Sequence, residues 1–181
     1  DKIHNRDLIL SISFKDNNLR LWDVKNWNNI LNLINVNRIG FLASACLINE
    51  DNEIHIVTSN YNEEDNCEPI KVFDLNGNKI KEMNCSNEST FFIDVYYDSI
   101  SKKNFILTGN ENYIKSYDYN SNNANQVYHK YYENNNGSHK SVIINDKQKI
   151  IKLIESCIDG NIRVWNFHSG SLLNEIYICG M

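Results

Sequence analysis

The chain is short of the residues that punctuate or break a fold. Its 181 residues hold one Pro, 7 Gly and 3 Ala. Gly and Pro this scarce exclude collagen, and 41% apolar residues exclude a wholly disordered tail. The length suits one ordinary domain or part of a larger single-core fold. No apolar run approaches the length that spans a bilayer as a helix, so no membrane is expected as a partner. The five cysteines, Cys46, Cys67, Cys85, Cys157 and Cys179, form no CxxC pair. An odd, scattered set reads as reduced thiols, so the setting expected is intracellular and cytoplasmic. Net charge −5 gives no pull toward nucleic acid or an anionic membrane surface.

Motifs of catalysis and cofactor binding are missing too. His4, His55, His129, His139 and His168 make neither HExxH nor a His/Cys ligand cluster, so no metal is assigned. GxGxxG and GxxxxGK[ST] do not occur, which leaves no phosphate cradle, and GxSxG is absent as well. The expectation is therefore no cofactor, no catalytic residue and no enzyme. Sequons at Asn84, Asn87 and Asn136 are chance matches in a chain rich in Asn and Ser.

What is abundant is Asn, with 32 residues, and Ile, with 24. Ile with so little Ala tilts the balance toward strands. Part of the Asn suits tight turns, because Asn tolerates positive φ; most of it reads as coding bias.

One phrase recurs four times: Leu19-Arg-Leu-Trp22-Asp23-Val24, Ile70-Lys-Val-Phe73-Asp74-Leu75, Ile114-Lys-Ser-Tyr117-Asp118-Tyr119 and Ile162-Arg-Val-Trp165-Asn166-Phe167. Each is an aliphatic, a basic residue, a third residue, an aromatic, Asp or Asn, and an apolar residue. The aromatics are 51, 44 and 48 residues apart. An apolar run precedes each copy, at 8–14, 54–58, 105–108 and 150–157. Another follows each, at 30–34, 79–83, 126–131 and 172–178, and further runs at 40–48, 91–97 and 141–144 precede copies two to four. Turn clusters such as Asn76-Gly77 and Asp159-Gly160 separate them, which is hairpin punctuation. The pattern predicts an all-β chain of four-stranded antiparallel units, a to d, with the phrase as strand c. Alternation along Leu19–Val24 places Leu19, Leu21 and Asp23 on one face and Arg20, Trp22 and Val24 on the other.

This arrangement resembles the WD-repeat β-propeller family, over about residues 6–178. The fourth copy matches best: Asp159-Gly-Asn-Ile-Arg-Val-Trp165-Asn166, with Gly137-Ser-His139 upstream where the family usually carries Gly-His. The first copy keeps Asp16 six residues before Trp22, the interval from Asp159 to Trp165. The resemblance implies blades at about 6–36 (lacking strand a), 38–84, 89–133 and 137–178. It implies structural roles for Asp16, Trp22, Asp23, Phe73, Asp74, Tyr117, Asp118, His139, Asp159, Trp165 and Asn166. It also implies a hydrogen-bonded set of His, Ser or Thr, Asp and Trp within a blade; Ser13, Thr108 and Ser156 stand nine residues before their aromatics, one later than the family's hydroxyl position. Nearly four blades fall short of a familiar closed ring of seven, which needs roughly 300 residues. A β-propeller fragment is therefore expected, with the rest of the ring or another chain covering its ends.

Between strands b and c of the second unit lies 60–69, carrying Glu63, Glu64, Asp65, Glu68 and the only proline. It reads as a partner-binding loop for a basic protein or peptide, or as a solvated insertion. Trp27 falls in a c–d turn, either as a contact residue on the opposite rim or folded back on Ile30. By resemblance the function is a non-catalytic protein-interaction scaffold. The alternative is the substrate-recruiting or regulatory propeller of a multidomain enzyme, such as a kinase or ubiquitin-ligase subunit.

Overall fold

The protein is described from a computed structural model that covers residues 5–13, 16–33, 36, 41–61, 69–83, 90–110, 113–121, 124–128, 138–145, 150–157 and 159–178. All regular structure in these residues is β, in four antiparallel sheets that follow one another along the chain. Sheet one holds β1 (Leu8–Ser13), β2 (Asn18–Asp23) and β3 (Asn28–Leu33). Sheet two holds β4 (Phe41–Glu50), β5 (Glu53–Tyr61), β6 (Ile70–Phe73) and β7 (Lys79–Met83). Sheet three holds β8 (Phe92–Asp98), β9 (Lys103–Gly109), β10 (Ile114–Asp118) and β11 (Ala124–Tyr128). Sheet four holds β12 (Ser138–Asn145), β13 (Ile151–Cys157), β14 (Asn161–Asn166) and β15 (Leu172–Tyr177). Each sheet is a meander in chain order, and none closes on itself.

Tight hairpins make this order possible, and the turns use the residues that tolerate left-handed backbone. Asn17, Asn52 and Asn5 sit at φ of 52°, 67° and 50°, and Gly77, Gly160 and Gly170 at 85°, 77° and 67°. Part of the Asn excess is thus turn chemistry. The recurrent phrase forms β2, β6, β10 and β14, the third strand from the start of each four-stranded sheet and the middle strand of the first.

Sheets pack face to face through three apolar layers. Between sheets one and two lie Leu19, Leu42, Ile56 and Phe73, with Leu10, Leu31 and Leu33 against them. Between two and three lie Val57, Ile70, Val72, Met83, Ile93, Ile106 and Tyr117. Between three and four lie Leu107, Ile114, Tyr128, Leu153, Trp165 and Phe167. Burial of each such side chain stabilises by about 1.5–3 kcal/mol. The layers share one rule. In sheets two to four the aromatic of the phrase faces the preceding sheet, and in sheets one to three the phrase's first and third residues face the following one.

Register makes the rule explicit. Opposite each phrase aromatic stands an aliphatic: Ile9 on Trp22, Ile56 on Phe73, Ile106 on Tyr117 and Leu153 on Trp165. On the other face, the first residue of the phrase pairs with the strand after it: Leu19 with Leu33, Ile70 with Met83, Ile114 with Tyr128 and Ile162 with Ile176. The third pairs with the strand before it: Leu21 with Leu10, Val72 with Val57, Ser116 with Leu107 and Val164 with Ile154.

Candidate functional site

The Asp or Asn of the phrase performs one task in all four sheets. Asp23 Oδ1 accepts the Lys25 N–H at 2.9 Å, Asp74 Oδ1 the Asn76 N–H at 2.9 Å, and Asp118 Oδ1 the Asn120 N–H at 3.0 Å. Asn166 Oδ1 accepts the His168 and Ser169 N–H groups, both at 3.0 Å. Each is an Asx turn that closes the hairpin after strand c, and an amide oxygen serves as well as a carboxylate. Burial raises the carboxyl of Asp118, but the Lys103 ammonium and the Asn120 N–H outweigh it and hold the group below the ordinary carboxylate range. The Asp74 carboxyl is lowered in the same sense, with Asn78 and Asn76 donors outweighing a raising effect of burial.

The indoles find partners opposite the basic residue of the phrase, ten residues before Trp165 and eleven before Trp22. Trp22 Nε1 donates to Ser11 Oγ at 2.8 Å, and Trp165 Nε1 to Glu155 Oε2 at 2.8 Å. Ser11 and Glu155 are equivalent by pairing, opposite Arg20 and Arg163. Thr58 and Thr108 take the same place opposite Lys71 and Lys115. Of the hydroxyls nine residues before the aromatic, only Thr108 therefore stands opposite the basic residue, where the indole acceptors stand. Ser13 bonds Asp16 instead, at 3.1 Å, and Ser156 pairs with Ile162 on the opposite face from Trp165. The turns between these strands differ in length, so a fixed sequence interval drifts across the pleat, and one residue of drift changes face.

The basic residue of the phrase is also tied down. Lys71 is buried and its Nζ donates to the Val36 carbonyl at 2.8 Å. Buried Arg163 donates Nη2 to Asp159, Nε to Glu175 at 2.9 Å and Nη1 to Cys157 Sγ at 2.7 Å. Asp159 Oδ1 meanwhile accepts the Asn161 N–H at 3.0 Å, so it both shapes the turn and neutralises the arginine. Burial, with Glu155 beside it, pushes the Cys157 thiol up to about 12 despite Arg163, and burial does the same to Cys46. Both are free cysteines and neutral thiols at pH 7, which suits packing and not nucleophilic attack.

Polar groups at the turns stitch neighbouring sheets. Glu50 accepts from Asn104 and from Asn120, the latter at 3.0 Å. His55 Nδ1 lies 2.6 Å from the Tyr119 hydroxyl, and Lys81 stands 3.4 Å over the Tyr119 ring. Asp98, almost fully buried, accepts from Ser101 Oγ at 2.6 Å and lies 3.6 Å from His168 Nε2. These contacts satisfy one another and leave a braced rim.

The acidic stretch with Glu63, Glu64, Asp65 and Glu68 lies outside the described residues, and so does the His139 side chain, although His139 itself is in β12. Trp27 is 68% exposed at φ 54° and is not folded back into the sheet. Large apolar groups are also bare on the outer faces of the two terminal sheets. Ile9 is 44% exposed on sheet one, and Val142 and Ile176 are 53% and 49% exposed on sheet four. There Ile144, Lys152, Ile154, Val164, Leu173 and Asn174 line an open groove of about 590 Å³. Among the described residues no group of three or more His, Cys, Asp or Glu is placed to hold a metal ion, and no helix is long and apolar enough to cross a membrane.

No family model matches the chain, and no curated protein matches it. Solved structures do, 607 chains of them. One is the computationally designed Ika8 protein in a P63 crystal, with a TM-score of 0.68 at 14% sequence identity. The match covers 96% of this chain and 47% of the Ika8 chain, so the chain spans about half the length of that protein. At this identity the likeness is one of fold.

Proposed function

We propose that the chain is part of a WD-repeat β-propeller and acts as a non-catalytic scaffold that presents its turns to a protein partner. The observation that carries the reading is the repetition itself. Four consecutive meanders bear the same phrase on the same strand, end that strand in the same Asx turn, and stack through the same two faces. Rigid sheets with braced turns hold loop residues at fixed separations, which is what a binding rim needs. The acidic loop with Glu63, Glu64, Asp65 and Glu68 is the proposed contact for a basic peptide, drawn by opposite charge.

A lysine-rich peptide titrated at low salt tests the contact. The triple variant Glu63→Gln, Glu64→Gln, Glu68→Gln is expected to bind about tenfold more weakly, the effect of three exposed charges. Unchanged affinity would remove the loop from the interface.

A further inference from the structure

The end of β5 and the start of sheet three meet at the rim where the acidic stretch begins. Tyr61, the last residue of β5, directly precedes residues 62–68 in the chain. Phe91 immediately precedes β8 and lies against Tyr61, with ring centroids 5.3 Å apart and planes tilted by 33°. The backbone here is pinned at two points. The Thr90 N–H donates to the Asn60 carbonyl at 2.9 Å, and the Phe91 N–H to the Gly109 carbonyl at 2.8 Å. The next residue, Phe92, is buried in the layer between sheets three and four. Yet the Phe91 side chain is 38% exposed, with Tyr61 half-buried beside it. A ring held this firmly and still open to water loses little conformational entropy when a partner engages it. Sheets two and three each have a sheet packed on either side, so what adjoins the two terminal sheets does not bear on these rings.

Aromatic faces attract cations, and the chain already uses two tyrosines in this way. Lys81 Nζ stands 3.4 Å from the Tyr119 ring centroid, and Lys115 Nζ 4.3 Å from that of Tyr113. No lysine or arginine among the described residues takes that place over Phe91. The sequence instead supplies four carboxylates, Glu63, Glu64, Asp65 and Glu68, close behind Tyr61. A partner drawn by those charges carries cations. We propose that the Tyr61–Phe91 pair seats an arginine side chain of that partner, with the guanidinium laid on the Phe91 ring. A guanidinium is planar, weakly hydrated and stacks on aromatic faces, whereas an ammonium holds its water more tightly. The rings thus select arginine among basic residues, while the carboxylates attract either kind from a distance. The inference rests on the acidic-loop reading above and names the residue that loop would bring in.

Isothermal titration with two peptides tests it, one built of glycine, serine and arginine and the other with every arginine replaced by lysine. Phe91→Leu is expected to weaken the arginine peptide about two- to fivefold and the lysine peptide less, while Phe91→Tyr binds both as the wild type does. Tyr61→Leu serves in place of Phe91→Leu if that variant loses its thermal unfolding transition. Equal losses for the two peptides would reduce Phe91 to an apolar contact and overturn the proposal, as would an unchanged arginine affinity in Phe91→Leu. If the triple variant Glu63→Gln, Glu64→Gln, Glu68→Gln still weakens both peptides in that event, the acidic loop stands without the arginine seat. A wild-type chain that binds neither peptide overturns both readings.

Discussion

Ile106 and Ile9 stand at the same point of their sheets, each opposite the aromatic of the phrase, yet Ile106 is fully buried and Ile9 is 44% exposed. Trp165 and Trp22 differ in the same way: one is 3% exposed with its indole on a buried carboxylate, the other half-buried with its indole on a hydroxyl. The strand chemistry is shared, and the neighbour is what differs. Inner sheets draw stability from both faces, whereas terminal sheets draw it from one. A propensity argument sees no distinction between them, because the distinction lies at the level of packing.

The sharpest way to break this comparison is to truncate matched positions. Ile106→Ala is expected to lower unfolding free energy by about 2–5 kcal/mol. Ile9→Ala is expected to change it by less than ~1 kcal/mol, because water already reaches the side chain. Urea unfolding of both reads the difference, and equal losses would show that the ends are as well packed as the middle.

Overpacking gives a second, smaller contrast. A Cβ at Gly109 would come within 1.9 Å of the Phe92 ring, in the layer between sheets three and four. Gly109→Ala is expected to destabilise by about 1–3 kcal/mol in thermal unfolding, as the ring is forced from its rotamer.

The indoles give a third. Trp165→Phe leaves Glu155, 3% exposed, without that donor, and is expected to lose about 1–3 kcal/mol. Trp22→Phe, with Ser11 able to turn to water, is expected to lose less than ~1 kcal/mol. Chemical denaturation of the two variants decides between an inner–outer difference and a uniform role for the ring.

The smallest effect concerns acid. The Asp118 carboxyl is held below its ordinary value in the fold, so its contribution is fully present above the unfolded value near 3.8 and is lost as pH falls through the lower, folded one. Asp118→Asn keeps the Asx turn and removes that titration. Its acid-unfolding curve is expected to be shallower below pH 4 by no more than ~0.5 kcal/mol, given how far solvent screens the group. An unchanged acid limb would mean that Lys103 holds no charge partner there.

Much of the strand pattern was legible because the phrase places a β-branched or aliphatic residue, a charge and an aromatic at alternating positions, which only a pleated strand can sort onto two faces. The Asp or Asn after each aromatic was visible as a repeat, but its task was not, since an Asx turn is recognised by the N–H two residues on. Glu155 stands ten residues before Trp165, at the family's hydroxyl interval, but the second indole acceptor, Ser11, stands eleven before Trp22 and is hidden from that count for a geometric reason. Their place is fixed by cross-strand pairing with Arg20 and Arg163, and turns of unequal length hide that pairing from an interval count. Trp27 was left between two placements; its left-handed backbone turns it out to solvent. The acidic loop was conspicuous in composition, but charge without register specifies no position.

The meander order carries a consequence for ancestry. Each sheet bonds only strands adjacent in the chain, and every joint between sheets repeats one pair of faces. A tandem duplication of one such stretch of gene would add a sheet whose two faces already match those on either side of the insertion. Substitutions that keep the aliphatic, aromatic and Asx places are then free to drift elsewhere, and copies of one ancestor can diverge until little but those places is shared.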